Sequence, residues 1–427
     1  MTGSSTQKPQ CPMHGVGDNH QPFAHEGMYD FFASVRPEAR VFYSPEIDYW
    51  VVTHQSDIKP ILQDSEKYSA TIATKPICPW PQSMRDYLDE RNFRNESVQV
   101  ACDPPRHTRI RQIAARFLNI RQFSFYEDQL RDLVRGYIDQ IGEKEEADLV
   151  DEIFYEFPAQ AVFLLLGVTD FDPRKIKEWG DLRITTIFGH PSNEELQAAA
   201  EDIADFWDFS SALVDARVQE PGDDYASALL KLRDGNDEKL TMNELRNLVF
   251  GLQLAGHETT TNAAGNLFDT LMQHPDQWRK LVEDPSLIPN AVEEGLRYAS
   301  SVVAWRRIAK QDVEVAGKSF PAGTKFLLSL ASGNRDEEVF EEPETFDVTR
   351  ENPRRHIAFG NGLHTCLGAP LARLELRILL EELTRAFPRM EFIPDQDISW
   401  TETLSFRGPS ALRVRLNRNT PSEEHGL

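Results

Sequence analysis

One cysteine stands alone in the stretch Phe359-Gly360-Asn361-Gly362-Leu363-His364-Thr365-Cys366-Leu367-Gly368. It has no neighbouring Cys or His set for zinc, which usually takes four ligands at short spacings. A lone thiolate suits an iron that a porphyrin already holds and that needs one axial ligand. Gly360, Gly362 and Gly368 allow a tight turn and close backbone approach to a flat cofactor. The amphipathic stretch 369–387 follows. Backbone N–H groups at its start would stabilise a negative sulfur. A lone Cys beside a Gly-rich turn can also be an ordinary buried residue. The full ten-residue pattern decides against that.

Those residues fit Phe-Gly-x-Gly-x-His-x-Cys-x-Gly, so the chain resembles the cytochrome P450 family, the heme-thiolate monooxygenases. The resemblance implies heme b, with Cys366 on the iron and Phe359, Gly360, His364 and Gly368 around it. It also implies the family fold, mainly α with a smaller β portion. That fold is a triangular prism of about a dozen helices around a buried heme, here spanning residues 23–416 as one domain. Segments 1–22 and 417–427 read as disordered tails.

A second chemical oddity lies upstream. Thr241-Met242-Asn243-Glu244 has capping-box form, the apolar pattern then runs to Gln273, and Pro275 is a stop signal. This predicts one helix long enough to cross the molecule. Its middle, Ala255-Gly256-His257-Glu258-Thr259-Thr260-Thr261, sets a Gly, an acid and three β-branched hydroxyls in an apolar helix. Gly256 alone costs about 1 kcal/mol against Ala, and such local inconsistencies mark functional sites. The segment resembles the family's Ala-Gly-x-(Asp/Glu)-Thr-Thr motif. That likeness implies Ala255 against the heme, Gly256 leaving room for O2, Thr259 hydrogen-bonding where the O–O bond breaks, and Glu258 feeding protons. His257 points away and has no role.

The elements that position these groups are legible more coarsely. Leu130, Leu133, Val134, Tyr137 and Ile141 form one helical stripe. Strand-like runs occur at 40–43, 49–52, 312–315, 318–320 and 325–329. Asp103-Pro104-Pro105 reads as an N-cap with proline in the first turn, which sets His107 and Arg111 on one helix face. By resemblance His107, Arg111, His364 and Arg307 bind the heme propionates. Arg306 is adjacent to Arg307, so that assignment can slip by one. Glu294 and Arg297, at i, i+3, resemble the family's structural pair, with Arg350 as third member and Arg354 as the other candidate.

The formal net charge is −23, which argues against nucleic acid and anionic membranes as partners. No apolar run approaches the roughly 18 residues of a spanning helix. The four cysteines, Cys11, Cys78, Cys102 and Cys366, form no disulfide framework and suit a reducing cytoplasm. Cys11-Pro12-Met13-His14 looks like a chance metal fragment. Against the acidic average, Arg106, Arg109 and Arg116 in one cluster and Arg354 and Arg355 in another suggest a docking face for a ferredoxin or similar acidic carrier.

Residues 302–307 and 404–409 look most like the heme domain of bacterial enzymes fused to a reductase. No flavin or iron–sulfur segment follows Leu416, which implies separate electron donors. The expected reaction is hydroxylation or oxidative dealkylation of a small or medium apolar or aromatic compound, with O2 as co-substrate. Leu252, Ala255, Val302, Val303, Ser405 and Phe406 are the candidate pocket residues. No concentrated charge stands ready to clamp a carboxylate, Arg183 being the one possibility. A nitric-oxide-reducing enzyme, a peroxide-driven enzyme and a non-enzymatic heme sensor are the alternatives. The Glu258–Thr259 pair speaks against the peroxide-driven one.

Overall fold

The computed structural model describes residues 15–417, so the Cys11–His14 fragment and 418–427 lie outside the described residues. Fifteen α-helices and ten short strands are present among those described, the mainly helical fold with a small β portion that the sequence leads one to expect.

The central helix, Met242–Gln273, runs 32 residues, about 48 Å. Its capping box forms. Thr241 Oγ1 accepts from the Glu244 N–H at 3.1 Å, and Glu244 Oε2 accepts from the Thr241 N–H at 2.9 Å. Helices Glu127–Ile141, Phe157–Leu166, Ile288–Tyr298 and Ala369–Ala386 share one apolar core with it. The predicted stripe buries Leu130, Val134, Tyr137 and Ile141 there. A crossing helix, Pro173–Phe188, lies over the central helix and also packs on Asn193–Gln219.

Both ends of the chain feed one five-stranded sheet. Its order is Val41–Ser44, Tyr49–Val52, Lys325–Ser329, Ala304–Ala309, Tyr68–Ser69. Only the pairing of 49–52 with 325–329 is parallel. Strand alternation turns Arg306 and Arg307 to opposite faces. Within the segment read as a tail, residues 17–19 form a 3-10 turn, and His20 is buried against Phe31, Phe32 and Phe42.

Candidate active site

The cysteine loop is shaped by its own backbone. Gly360 and Gly362 adopt φ of +72° and +75°, the left-handed region that glycine enters freely. A Cβ on Gly362 would also stand 2.7 Å from the Leu62 carbonyl oxygen. The Cys366 N–H donates to the Phe359 carbonyl at 3.0 Å. Cys366 is exposed as a residue, although protein atoms crowd around its thiol. Burial pushes the thiol up. Backbone N–H groups of Gly368 and Ala369 work against that, as do Arg111 and Arg373.

Two adjacent acids hold the loop's surroundings. Fully buried Glu294 takes Arg297 through Nε at 2.7 Å and Nη2 at 2.8 Å, and Arg350 Nε at 3.1 Å. Arg297 also donates to the carbonyls of Asn334, Pro343 and Thr345. Arg350 is thus the third member. Arg354, with a side chain 74% exposed, is not. Glu293, not singled out from sequence, binds His356 at 3.0 Å and Arg373 at 2.8 Å, tying both shoulders of the cysteine loop.

Four cationic or protonatable side chains gather beside that loop. His107 is 1% exposed, and neither ring nitrogen has a hydrogen-bond partner. Its ring lies 4.2 Å from that of His364. Arg111 donates to the Thr365 carbonyl. Buried Arg307 donates Nη1 to its neighbour's carbonyl at 2.8 Å. Burial, then Arg307, His107 and Arg111, pull His364 down to about 3, against Asp103. Orphaned imidazole nitrogens within so positive a cluster fit an anionic partner. The two propionates of heme would meet that requirement, with Cys366 near by as the sulfur that would hold its iron. Arg306 is excluded from the cluster: it donates to the carbonyls of Lys75 and Ala73. Asp103 does not cap the helix Arg106–Ala114; its carboxylate accepts from the Ala70 N–H at 2.9 Å.

The middle of the central helix opens to the interior at Ala255, and in part at Leu252, Gly256 and Thr259. Thr259 Oγ1 donates to the Ala255 carbonyl at 3.0 Å. Gly256 has a packing reason: a Cβ there would stand 2.5 Å from Val162 Cγ2 on the neighbouring helix. Buried His257 lies against Gly180 of the crossing helix, where an added Cβ would meet its ring at 2.4 Å.

Glu258 is turned away from solvent toward a partner that sequence reasoning missed. It makes a buried ion pair with Lys177, and its Oε1 accepts from Asn262 Nδ2 at 3.0 Å. Lys177 Nζ also reaches Asp181 at 2.6 Å, and Asp181 accepts from the Tyr155 hydroxyl at 3.1 Å. Asp181 is half-exposed, so the chain runs from the helix interior to solvent. Lys177, Glu258 and Asp181 form one tightly coupled group. Burial raises Glu258, but Lys177 and the other neighbours bring it down to about 2. Burial and the Glu258 charge push Asp181 up to about 7. The available signal was a lysine on the same helix face as Gly180 and Ile184.

The candidate pocket residues divide. Val302 and Phe406, joined by an isolated bridge, pack with Ile184, Ile187, Phe188 and Leu254. Val303 lines a different hollow, formed with the segment 19–32. Ser405 is fully buried, and its carbonyl takes the Val303 N–H. Val302 and Val303 thus line different spaces.

The cytochrome P450 family model matches residues 176–410. Mycinamicin IV hydroxylase/epoxidase of Micromonospora griseorubida is 33% identical over 395 residues, 91% of this chain and 94% of its own. Among solved structures, cytochrome P450 CREJ in complex with (4-ethylphenyl) dihydrogen phosphate superposes with a TM-score of 0.91. It is 34% identical, and the match covers 94% of this chain and all of that one. An intact type IV self-sufficient cytochrome P450 monooxygenase gives a TM-score of 0.93 at 33% identity, covering 99% of this chain but 56% of the larger one. By sequence and by fold, this chain belongs to the cytochrome P450 family and is a monooxygenase, an oxidoreductase that works with heme b.

Proposed function

We propose that this enzyme inserts one oxygen atom of O2 into a C–H bond of a small or medium organic substrate with an aromatic or apolar body. Electrons would come from a ferredoxin-like carrier. When bound through Cys366, heme supplies the one-electron chemistry and O2 activation that side chains cannot. The chain's own residues supply position, protons and dryness. Ile184, Ile187, Phe188, Leu254, Val302 and Phe406 offer an apolar wall. The CREJ complex, which holds an aryl phosphate, supports an aromatic body.

The Glu258–Lys177–Asp181 chain carries this reading. A monooxygenase needs protons delivered to one point in a cavity otherwise closed to water. Asp181 is the more exposed end, its carboxyl held above the usual range by burial and the Glu258 charge, and Lys177 bridges it to Glu258. Thr259, the next residue, donates its hydroxyl proton to the Ala255 carbonyl, so its oxygen is free to accept a hydrogen bond in the cleft. Thr259→Ala is expected to keep consuming reduced nicotinamide and O2, through a surrogate reductase, while releasing mostly hydrogen peroxide. Tight coupling to product in that variant would remove the role.

For the carrier, Arg116, Arg354 and Arg355 are exposed toward an acidic partner, Arg354 with a long contact of 3.8 Å to Glu293. Arg106 and Arg109 are engaged by Glu244, with Arg106 also on Glu96, so their charge is largely spent internally. Exposed Ile120, Phe125 and Leu363 give the same region apolar contact points.

A further inference from the structure

Arg183 stands apart from the other buried arginines. Arg297 is held by Glu294 and backbone carbonyls, Arg306 by two carbonyls, and Arg335 by Glu344 and the Tyr298 carbonyl. Arg183 is 4% exposed, and its Nε and Nη1 have no hydrogen-bond partner. Among the described residues no carboxylate offsets its charge, and burial alone draws it down to about 10. What holds the guanidinium is aromatic: the Trp80 ring at 5.0 Å and the Phe93 ring at 5.7 Å. Contacts with ring faces leave the edge N–H groups unused. A buried, unpaired charge is unfavourable unless something pairs with it.

Its position indicates what that partner would be. On the crossing helix Gly180, Arg183, Ile184 and Ile187 share a face by the 3–4 residue spacing. Gly180 touches the central helix, while Ile184 and Ile187 belong to the apolar wall with Phe406. Phe93 packs on Phe250 of the central helix, and Trp80 Nε1 donates to the Thr186 carbonyl at 3.1 Å. The guanidinium therefore sits between Trp80 and Phe93, on the helix face that also carries Ile184 and Ile187 of that wall.

We propose that Arg183 is an oxyanion subsite, pairing with a carboxylate or phosphate monoester group of a substrate whose aryl or alkyl body lies against Ile184, Phe188 and Phe406. A planar guanidinium with free edge donors matches a two-oxygen acceptor. The inference rests on the oxygenation reading and narrows it: the substrate is an anionic amphiphile, not an uncharged molecule.

The test uses holoenzyme that already shows the carbon monoxide band of a thiolate-bound heme, so a failure of the cofactor reading is seen first. 4-Propylbenzoate, 4-propylphenyl phosphate and neutral 4-propylbenzamide are titrated by calorimetry and by the heme spin-state change. At least one anion should bind about tenfold or more tighter than the amide. Arg183→Gln should erase that preference and leave amide affinity within about twofold, while Arg183→Lys, which keeps the charge if Gln fails to fold, should retain part of it. Whichever anion shows the preference identifies the head group. Equal binding of both anions and the amide to the unsubstituted enzyme would overturn the proposal. So would a parallel loss of all three ligands in the variants, the mark of a merely structural stack.

Discussion

Replacing Lys177 by Met tests the buried charge chain most directly. The ammonium sits between Glu258 and Asp181 and over the Tyr155 ring at 4.9 Å. Met keeps most of the stem's packing and removes only the charge. Glu258 would then be a buried carboxylate left with Asn262 and, when protonated, Asp181 as hydrogen-bond donors. Breaking one side of a buried pair costs about 3–5 kcal/mol. The lower end applies here, because Asp181 reaches solvent and can relax. For a chain of 427 residues unfolding entropy is roughly 0.9 kcal/mol per degree, so the melting midpoint at pH 8 should fall by about 3–4 °C. The pH dependence gives the sign. Without Lys177 the folded-state pKa of Glu258 rises above its unfolded value, so folded protein binds the extra proton. The deficit should therefore shrink as pH drops from 8 to 5.5. Adding Glu258→Gln to Lys177→Met should restore most of the loss, a coupling of about 2 kcal/mol. Circular-dichroism melts at fixed scan rate measure all of this. A midpoint within about 1 °C of the parent at pH 8, or a deficit that ignores pH, would refute the buried-pair account.

Gly180→Ala should destabilise by about 1–3 kcal/mol in denaturant melts, although Ala is the better helix former, because its Cβ would meet the His257 ring at 2.4 Å. Glu244 predicts an acid limb. Burial opposes its charge, yet Arg109, the Thr241 N–H and Arg106 bring it down to about 2. A depressed acid stabilises above its unfolded pKa and is lost as pH falls toward 2. Glu244→Gln should thus cost about 2–3 kcal/mol at pH 7 and much less near pH 3, read from urea midpoints at each pH.

The cysteine loop and the central helix were legible because their signals are local. Glycines at positive φ, a Thr-x-x-Glu cap and a proline stop act within a few residues of where they stand. Register along a strand told Arg307 from Arg306 once the strand was known, but not before. Lys177 was not legible as Glu258's partner, since helical periodicity shows that a residue faces inward and not what it meets. Gly256 was read for the cleft, and its close packing on Val162 was not legible, because a missing Cβ in a sequence has no direction. Asp103 was read as a cap by its place before two prolines. A backbone N–H from another part of the chain, at Ala70, took its carboxylate instead.

The middle of the central helix is a poor helix in isolation, and its neighbours hold it. Gly256 admits Val162 from one side, and Gly180 admits His257 on the other. Thr261 Oγ1 donates to the Phe154 carbonyl at 2.9 Å, outside its own helix. Lys177 anchors Glu258 from the same crossing helix that carries Gly180. Close approach and charge pairing are therefore one arrangement: the glycine brings the helices near enough for the lysine to reach the acid. It follows that Gly180 would also be a positioning residue for the proposed proton route, besides its packing role. A substitution there that spreads the two helices should weaken the Lys177–Glu258 coupling measured by the double-mutant cycle, whereas one that disturbs only local packing would leave that coupling intact.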